Sequence, residues 1–216
     1  MDIQATITYI MEIIGTIAFA ASGAMVGIRK RMDIFGVCVL GFVTAVGGGM
    51  VRDIILGITP PNVFRNTDYA FVAVITSLIV FGVVYIKKDV LNGSLKNVYD
   101  RVMLIMDTIG LAIFTVVGVN IGIQQGFVEK IFLLTFVGTI TGVGGGLMRD
   151  VMAGEPPYIF VKHIYASASV IGAIVCVYIY RSFGAVASMV VSSAVILFIR
   201  YLAAHYHWNL PHIDFD

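Results

Sequence analysis

The sequence predicts an all-α integral membrane protein, with seven transmembrane helices arranged as two inverted three-helix repeats plus a seventh helix. Three observations carry that expectation. The 216 residues are 59% hydrophobic and only 12% charged, with a mean hydropathy of +0.95, whereas a soluble domain carries about 25% charged residues. Seven stretches are long and apolar enough to cross a bilayer, which takes about 20 such residues for a helix. One block of the sequence also occurs twice, in the two halves of the chain. A chain this apolar is not a cytosolic enzyme, a nucleic-acid binder or a disordered regulator. The formal net charge of +1 carries no information, because the charges are segregated.

In chain order the expected spans are Thr8–Ile28, Ile34–Leu56, Tyr69–Ile86, Val102–Ile123, Ile131–Ala153, His163–Tyr180 and Gly184–Leu202. The connections are short, so the 216 residues form a single transmembrane domain and the function lies inside the membrane. The strands of a membrane barrel are about 10 residues long and alternate in polarity, and no such pattern occurs. No Lys or Arg precedes the first span and no small-residue cleavage site follows it, so it reads as a retained helix rather than a signal peptide. Cys38 and Cys176 fall inside spans and read as packing residues without a disulfide.

Orientation follows from the distribution of Lys and Arg. Arg29, Lys30, Arg31, Lys87, Lys88, Lys96, Arg101, Lys162 and Arg200 fall on one side, against Arg65, Lys130 and Arg181 on the other. The side with nine is expected to be cytoplasmic, with the C-terminus inside and the N-terminus outside a prokaryotic plasma membrane.

The repeat is the most specific signal. GGGMVRDIILGITPPNVF from Gly47 returns as GGGLMRDVMAGEPPYIF from Gly144. Gly47, Gly48, Gly49, Arg52, Asp53 and Gly57 match Gly144, Gly145, Gly146, Arg149, Asp150 and Gly154. Pro60, Pro61 and Phe64 match Pro156, Pro157 and Phe160 after a one-residue gap. Upstream, Glu12, Gly15, Phe19, Gly23 and Gly27 match Asp107, Gly110, Phe114, Gly118 and Gly122. The copies occupy residues 8–88 and 101–181, with the seventh helix at 184–203. Three spans per copy is an odd number, so the second copy enters from the opposite side, a pattern that points to a solute or ion path near the midplane.

Three consecutive glycines cost a helix about 1 kcal/mol each relative to Ala. A triplet that occurs twice is read here as a break lining the path, with close helix packing as the alternative. Carbonyls freed at such a break can replace a cation's hydration shell. Thr44 before the first triplet, Thr139 and Thr141 before the second, and Ser22 on the first span are candidate path-lining hydroxyls. Intramembrane charges mark function by default. Neighbours at i and i+1 on a helix do not face each other, so Arg52 and Arg149 are expected to look past Asp53 and Asp150. The expected pairs are Glu12 with Arg52 at one mouth and Asp107 with Arg149 at the other, each able to act as a gate. An Arg52–Asp150 pair is rejected as too far across the core.

With its doubled GGG-x-x-RD motif and three-helix repeat, the chain resembles a prokaryotic member of the trimeric intracellular cation (TRIC) channel family, which is also catalogued in bacteria as a glycine-transporter domain. The resemblance runs from Glu12 to about Leu202. It implies a homotrimer with one hourglass pore per subunit, helices two and five kinked at Gly47–Gly49 and Gly144–Gly146, and permeation of potassium with weaker discrimination against sodium. Animal members carry a Lys-Glu-Val motif linked to phosphoinositide binding; here Glu129 precedes Lys130, in the reverse order. Membrane lipids and monovalent cations are the expected partners, with no nucleic acid, and no cofactor beyond permeant K+ and a possible bound lipid.

His205, His207 and His212 in the tail match no common zinc spacing and read with Trp208 as an interfacial anchor. No nucleotide loop, nucleophile–base pair or cofactor fingerprint occurs, so no enzyme is expected. The first hypothesis is a monovalent cation channel. The alternative is a carrier for a small neutral solute such as glycine, using the same breaks. A membrane scaffold without transport is a third.

Overall fold

The computed structural model describes residues 3–87, 95–161, 164–206 and 208. Among them are eight helices and no strand: α1 (Ile3–Arg29), α2 (Ile34–Ile55), α3 (Asn62–Arg65), α4 (Asp68–Lys87), α5 (Leu95–Gln124), α6 (Ile131–Met152), α7 (Tyr158–Val161) and α8 (Ala166–His205). Six of these, all but α3 and α7, are long and apolar enough to cross a membrane. The spans expected up to Ala153 correspond one-to-one to α1, α2, α4, α5 and α6, with ends within a few residues except α5, which starts at Leu95. The last two expected spans differ. They form the single 40-residue element α8, interrupted at Gly184, whose φ of 78° and ψ of −176° are not helical. An unbroken helix of that length would reach about 60 Å, twice the roughly 30 Å hydrocarbon core, so the interruption is where its direction changes.

Apolar periodicity explains the placement of the helices. Phe71, Ile75, Ile79 and Val83 recur every fourth residue of α4 and are all more than half exposed or close to it, at 66%, 54%, 60% and 50%. Such a stripe is unfavourable in water and at home in lipid. The opposite face of α4, with buried Ala73 and Ser77, packs on α1 and α2. Inside, α1 lies on α2, α5 on α6, and α8 on α5 and α6. Phe19 of α1 and Phe114 of α5, matched positions of the two copies, meet with ring centroids 5.2 Å apart.

The centre of the protein is the contact between α2 and α6. A Cβ on Gly48 would stand 2.3 Å from the Thr141 carbonyl oxygen, and one on Gly145 would stand 2.0 Å from the Thr44 carbonyl oxygen. Residue 48 thus meets residue 141 and residue 44 meets residue 145, so the numbering runs in opposite directions along the contact and the helices cross antiparallel. Both run as uninterrupted α-helix through the triplets. The expected break is therefore corrected: the glycines serve close packing, because only a residue without Cβ lets two backbones approach this far.

What does interrupt the chain comes later. Gly57 (φ 72°) and Gly154 (φ 65°) terminate α2 and α6. Gly57 donates to the Ile54 carbonyl at 3.1 Å and Ile58 to the Asp53 carbonyl at 2.8 Å; Gly154 and Glu155 donate in the same way to Val151 at 3.1 Å and Asp150 at 2.9 Å. This is a Schellman closure, which needs a left-handed residue. It turns each chain back towards a proline pair and a four-residue helix, α3 or α7.

Candidate functional site

Each of α2 and α6 ends in an Arg-Asp pair, and each pair is buried. Arg52 is 4% exposed and Arg149 0%. The third glycine of each triplet makes room for the arginine to fold back along its own helix: a Cβ on Gly49 would lie 3.6 Å from Arg52 Nη2, and one on Gly146 3.6 Å from Arg149 Nη2.

The adjacent residues do bond, contrary to expectation. Arg52 donates to Asp53 Oδ1 from Nε at 2.9 Å and from Nη2 at 2.7 Å. Arg149 Nε donates to Asp150 Oδ1 at 2.8 Å. The rule that neighbours on a helix diverge holds for extended side chains. Here the aspartates sit in the last turn and lean past the helix end, where their second oxygens take up another task. Asp53 Oδ2 accepts the Asn62 backbone N–H at 2.7 Å, and Asp150 Oδ2 accepts that of Tyr158 at 2.9 Å. Each aspartate therefore neutralises an arginine and caps the short helix that follows. A proline pair and short helix follow each RD for this reason, despite the one-residue difference in spacing, which the motif alone does not reveal.

Beyond the Arg-Asp pairs the two clusters differ. Arg149 Nη1 donates to Asp107 Oδ1 at 2.6 Å and also to the buried hydroxyl of Ser22. Arg52 makes no hydrogen bond to Glu12 among the described residues. Glu12 Oε2 instead accepts the Tyr69 hydroxyl at 2.6 Å. The expected Glu12–Arg52 contact is therefore not a direct hydrogen bond among the described residues: Tyr69 holds the carboxylate and Asp53 the arginine, with Arg52 still close enough to act on Glu12 electrostatically. Glu12, Arg52, Asp53, Asn62, Thr16 and Tyr69 border one cavity of about 40 Å³, enough for one or two waters. In the other cluster Asp107 and Tyr165 are 1% and 2% exposed. Arg149 Nη2 is buried there without a hydrogen bond among the described residues. The phenol of Tyr165 lies within hydrogen-bonding reach of the Asp107 carboxylate that Arg149 also holds, and Arg200 lies over its ring at 4.9 Å.

The candidate hydroxyls on α2 and α6 turn back on their own helices. Thr44 Oγ1 donates to the Leu40 carbonyl at 2.6 Å, and Thr141 Oγ1 bonds the Val137 carbonyl. Thr139 is half-buried, its hydroxyl without a hydrogen bond among the described residues. Gly47 faces Met148 Sδ, and Gly144 faces the Gly48 backbone.

Outside the second cluster, Arg29, Lys30, Tyr99, Asp150, Glu155 and Tyr158 border a larger vestibule of about 510 Å³. Glu155 pairs with Arg29, and with Lys30 Nζ at 3.1 Å. Partial burial pushes the Glu155 carboxyl up, but the hydrogen bonds from Arg29 and Lys30 outweigh it and hold the group below its ordinary value. Burial pushes the Tyr99 phenol up to about 12, against the pull of Arg29. His207 and His212 lie outside the described residues, while His205 stacks on Tyr201 and meets Tyr206 edge-on.

The family model described as "Glycine transporter" matches residues 9–85 and again residues 104–181. The UPF0126 inner membrane protein YadS of Escherichia coli K12 is 37% identical over 97% of this chain and 98% of its own. A UPF0126 membrane protein of Deinococcus radiodurans is 34% identical over 93% and 89%. The chain belongs to the TRIC channel and UPF0126 family. A solved TRIC cation channel is 35% identical, with a TM-score of 0.82 over 96% of this chain and 97% of that one. A prokaryotic TRIC channel determined in 0.5 M KCl gives 30% and 0.84 over 95% and 100%. The TRIC orthologue of Rhodobacter sphaeroides, named as a trimeric intracellular cation channel, gives 28% and 0.84 over 94% and 100%. This chain is accordingly a multi-pass membrane protein of that family.

Proposed function

We propose that this protein is a monovalent cation channel, mainly for potassium, with one path in each subunit of a homotrimer. The observation that carries the reading is the axis between α2 and α6. Two buried arginine–acid clusters stand at opposite ends of one antiparallel glycine seam, a cavity at one cluster and a vestibule outside the other. On a rise of 1.5 Å per residue the two arginines are about 16 Å apart along the helices. An arginine on a cation path is an electrostatic barrier, so each cluster serves as a gate, and the glycine seam is the constriction between them. Similarity to solved cation channels supports the class of solute.

In this reading the copies at 8–88 and 101–181 are inverted repeats. The antiparallel crossing of the matched helices and the two matched segments of the family model support it. α8 then crosses twice about Gly184, making seven spans with the C-terminus on the cytoplasmic side, where Arg29, Lys30 and Arg31 lie.

The test is single-channel recording of the purified protein in planar bilayers under a potassium chloride gradient. Unitary currents reversing near the potassium equilibrium potential are expected. Silence from verified incorporation, together with uptake of labelled glycine into proteoliposomes, overturns the channel reading in favour of a carrier.

A further inference from the structure

The second arm of α8, after Gly184, lies outside both copies of the repeat, and it brings one charge with it. Arg200 counts as a flanking cation in the sequence, yet it is 2% exposed. Its Nε is buried without a hydrogen bond among the described residues. The guanidinium carbon stands 4.9 Å from the centre of the Tyr165 ring, and a desolvated cation is held on an aromatic face more strongly than an exposed one.

The path of α8 explains how the two residues meet. Tyr165 caps its start, Arg200 lies near its end, and Gly184 interrupts it between them. A Cβ on Gly172 would collide with the Ile196 side chain, and the Cys176 thiol lies within hydrogen-bonding reach of the Ser188 and Ser192 hydroxyls. Low numbers on one arm meet high numbers on the other, so the arms run antiparallel. Continued to the ends of the element, that register brings Arg200 to Tyr165.

Tyr165 is the inner member of a row. Its phenol reaches Asp107, and its ring meets Tyr158 edge-on with centroids 6.5 Å apart. Tyr158 borders the vestibule, which stops short of buried Asp107 and Arg149. The first cluster is built otherwise. Aligned on Phe64 and Phe160 without a gap, the copies place Asn62 on Tyr158 and Tyr69 on Tyr165. Asn62 and Tyr158 make the same backbone bond to Asp53 and Asp150, so the register holds in three dimensions. The first cluster thus has the inner tyrosine, but an asparagine in place of the outer one. There Tyr69 is half-buried, and a cavity reaches Glu12 and Arg52.

We infer that Arg200 is a positioning residue. It holds the Tyr165 ring against Tyr158 as an aromatic wall that shuts the vestibule off from the Asp107–Arg149 cluster. The second arm of α8 is thereby the part of the fold that makes the two mouths unequal, one cluster open to a cavity and the other sealed. The inference rests on the gating role proposed above for these clusters.

The test reads the wall with a thiol. Ser22→Cys places one behind it, since Ser22 is fully buried against Arg149. Thr16→Cys places another beside the first cavity as a control. Purified protein in detergent is treated with a water-soluble methanethiosulfonate, and modification at each position is followed by peptide mass. Arg200→Gln is expected to speed the reaction at Ser22→Cys about tenfold, the scale of one desolvated cation–π contact, and to leave Thr16→Cys unchanged. Arg200→Lys keeps a cation over the ring and is expected to keep the reaction slow. Tyr165→Leu is expected to speed it already, with no further gain from Arg200→Gln. An unchanged rate in Arg200→Gln overturns the inference. So does an equal rise at both cysteines, which marks a general loosening, and so does a further rise on top of Tyr165→Leu, which means that the arginine does not act through the ring. In single-channel recordings the open probability of Arg200→Gln is expected to rise by a similar factor; an unaltered open probability in a conducting variant overturns the wall as part of the gate. Silence of the wild type defeats the channel reading, and the thiol rates then still decide the wall. If Arg200→Gln does not assemble, Tyr158→Asn gives the second cluster the residue of the first. It is expected to speed the reaction at Ser22→Cys, and an unchanged rate overturns the inference.

Discussion

Gly145→Ala tests the centre of the structure. A Cβ there would sit 2.0 Å from the Thr44 carbonyl oxygen and 3.1 Å from its carbon. An ordinary C···O contact is about 3.3 Å, so α2 and α6 must separate by about 1.3 Å. The obstacle is the backbone of a helix packed on α1 and α4 as well, and no rotamer change relieves it. Overpacking of this kind costs about 1–3 kcal/mol, and two backbones in contact put it at the upper end. Removing a mid-helix glycine returns about 1 kcal/mol. The net loss is about 2 kcal/mol, or roughly 4–8 °C in Tm for a chain of this length. The control is Gly82→Ala in α4, where a Cβ meets nothing within 4 Å; it keeps the propensity gain and is expected to be neutral or stabilising. Thermal unfolding of both variants in the same detergent is the assay. A Gly145→Ala protein as stable as Gly82→Ala would refute the packing argument and return the triplet to the wall of an open path.

The remaining predictions concern charges. Asp53→Ala leaves Arg52 without its acidic hydrogen-bond partner and α3 without its cap, a loss of about 3–5 kcal/mol. Asp150→Ala costs less, about 2–3 kcal/mol, because Arg149 keeps Asp107; thermal unfolding of the two variants side by side checks the order. The Glu155 contacts give a pH signature. Its folded pKa lies below the ordinary value, so the stabilisation is complete above about pH 4.3 and fades as pH falls through the folded value. The Arg29 side chain is 47% exposed, which limits the effect to about 1 kcal/mol or less. The Tm difference between wild type and Glu155→Gln is expected to be small at pH 7 and to vanish on acidification.

Much of this architecture is legible in one dimension. The ends of α2, α4 and α6 fall within a residue of the boundaries read from hydropathy, because lipid imposes an apolar run on any helix that crosses it. The repeat marks both arginines, both acids and both glycine triplets in the sequence itself. Their connections were a different matter. GGG fits a broken helix as well as a close crossing, and only the 2.0 Å approach of Gly145 to the Thr44 carbonyl distinguishes them. The rule for neighbours on a helix misjudged Arg52 with Asp53, because it ignores what a side chain does beyond the last turn, where the N–H of Asn62 was waiting. Tyr69 and Tyr165 lie outside the motif and resemble ordinary interfacial aromatics. The sequence by itself determined the membrane, the spans and the inventory of buried charge, since these depend on local composition and internal likeness. Only the tertiary structure decided which acid each arginine holds, because that choice turns on the reach of side chains from four helices meeting at one point.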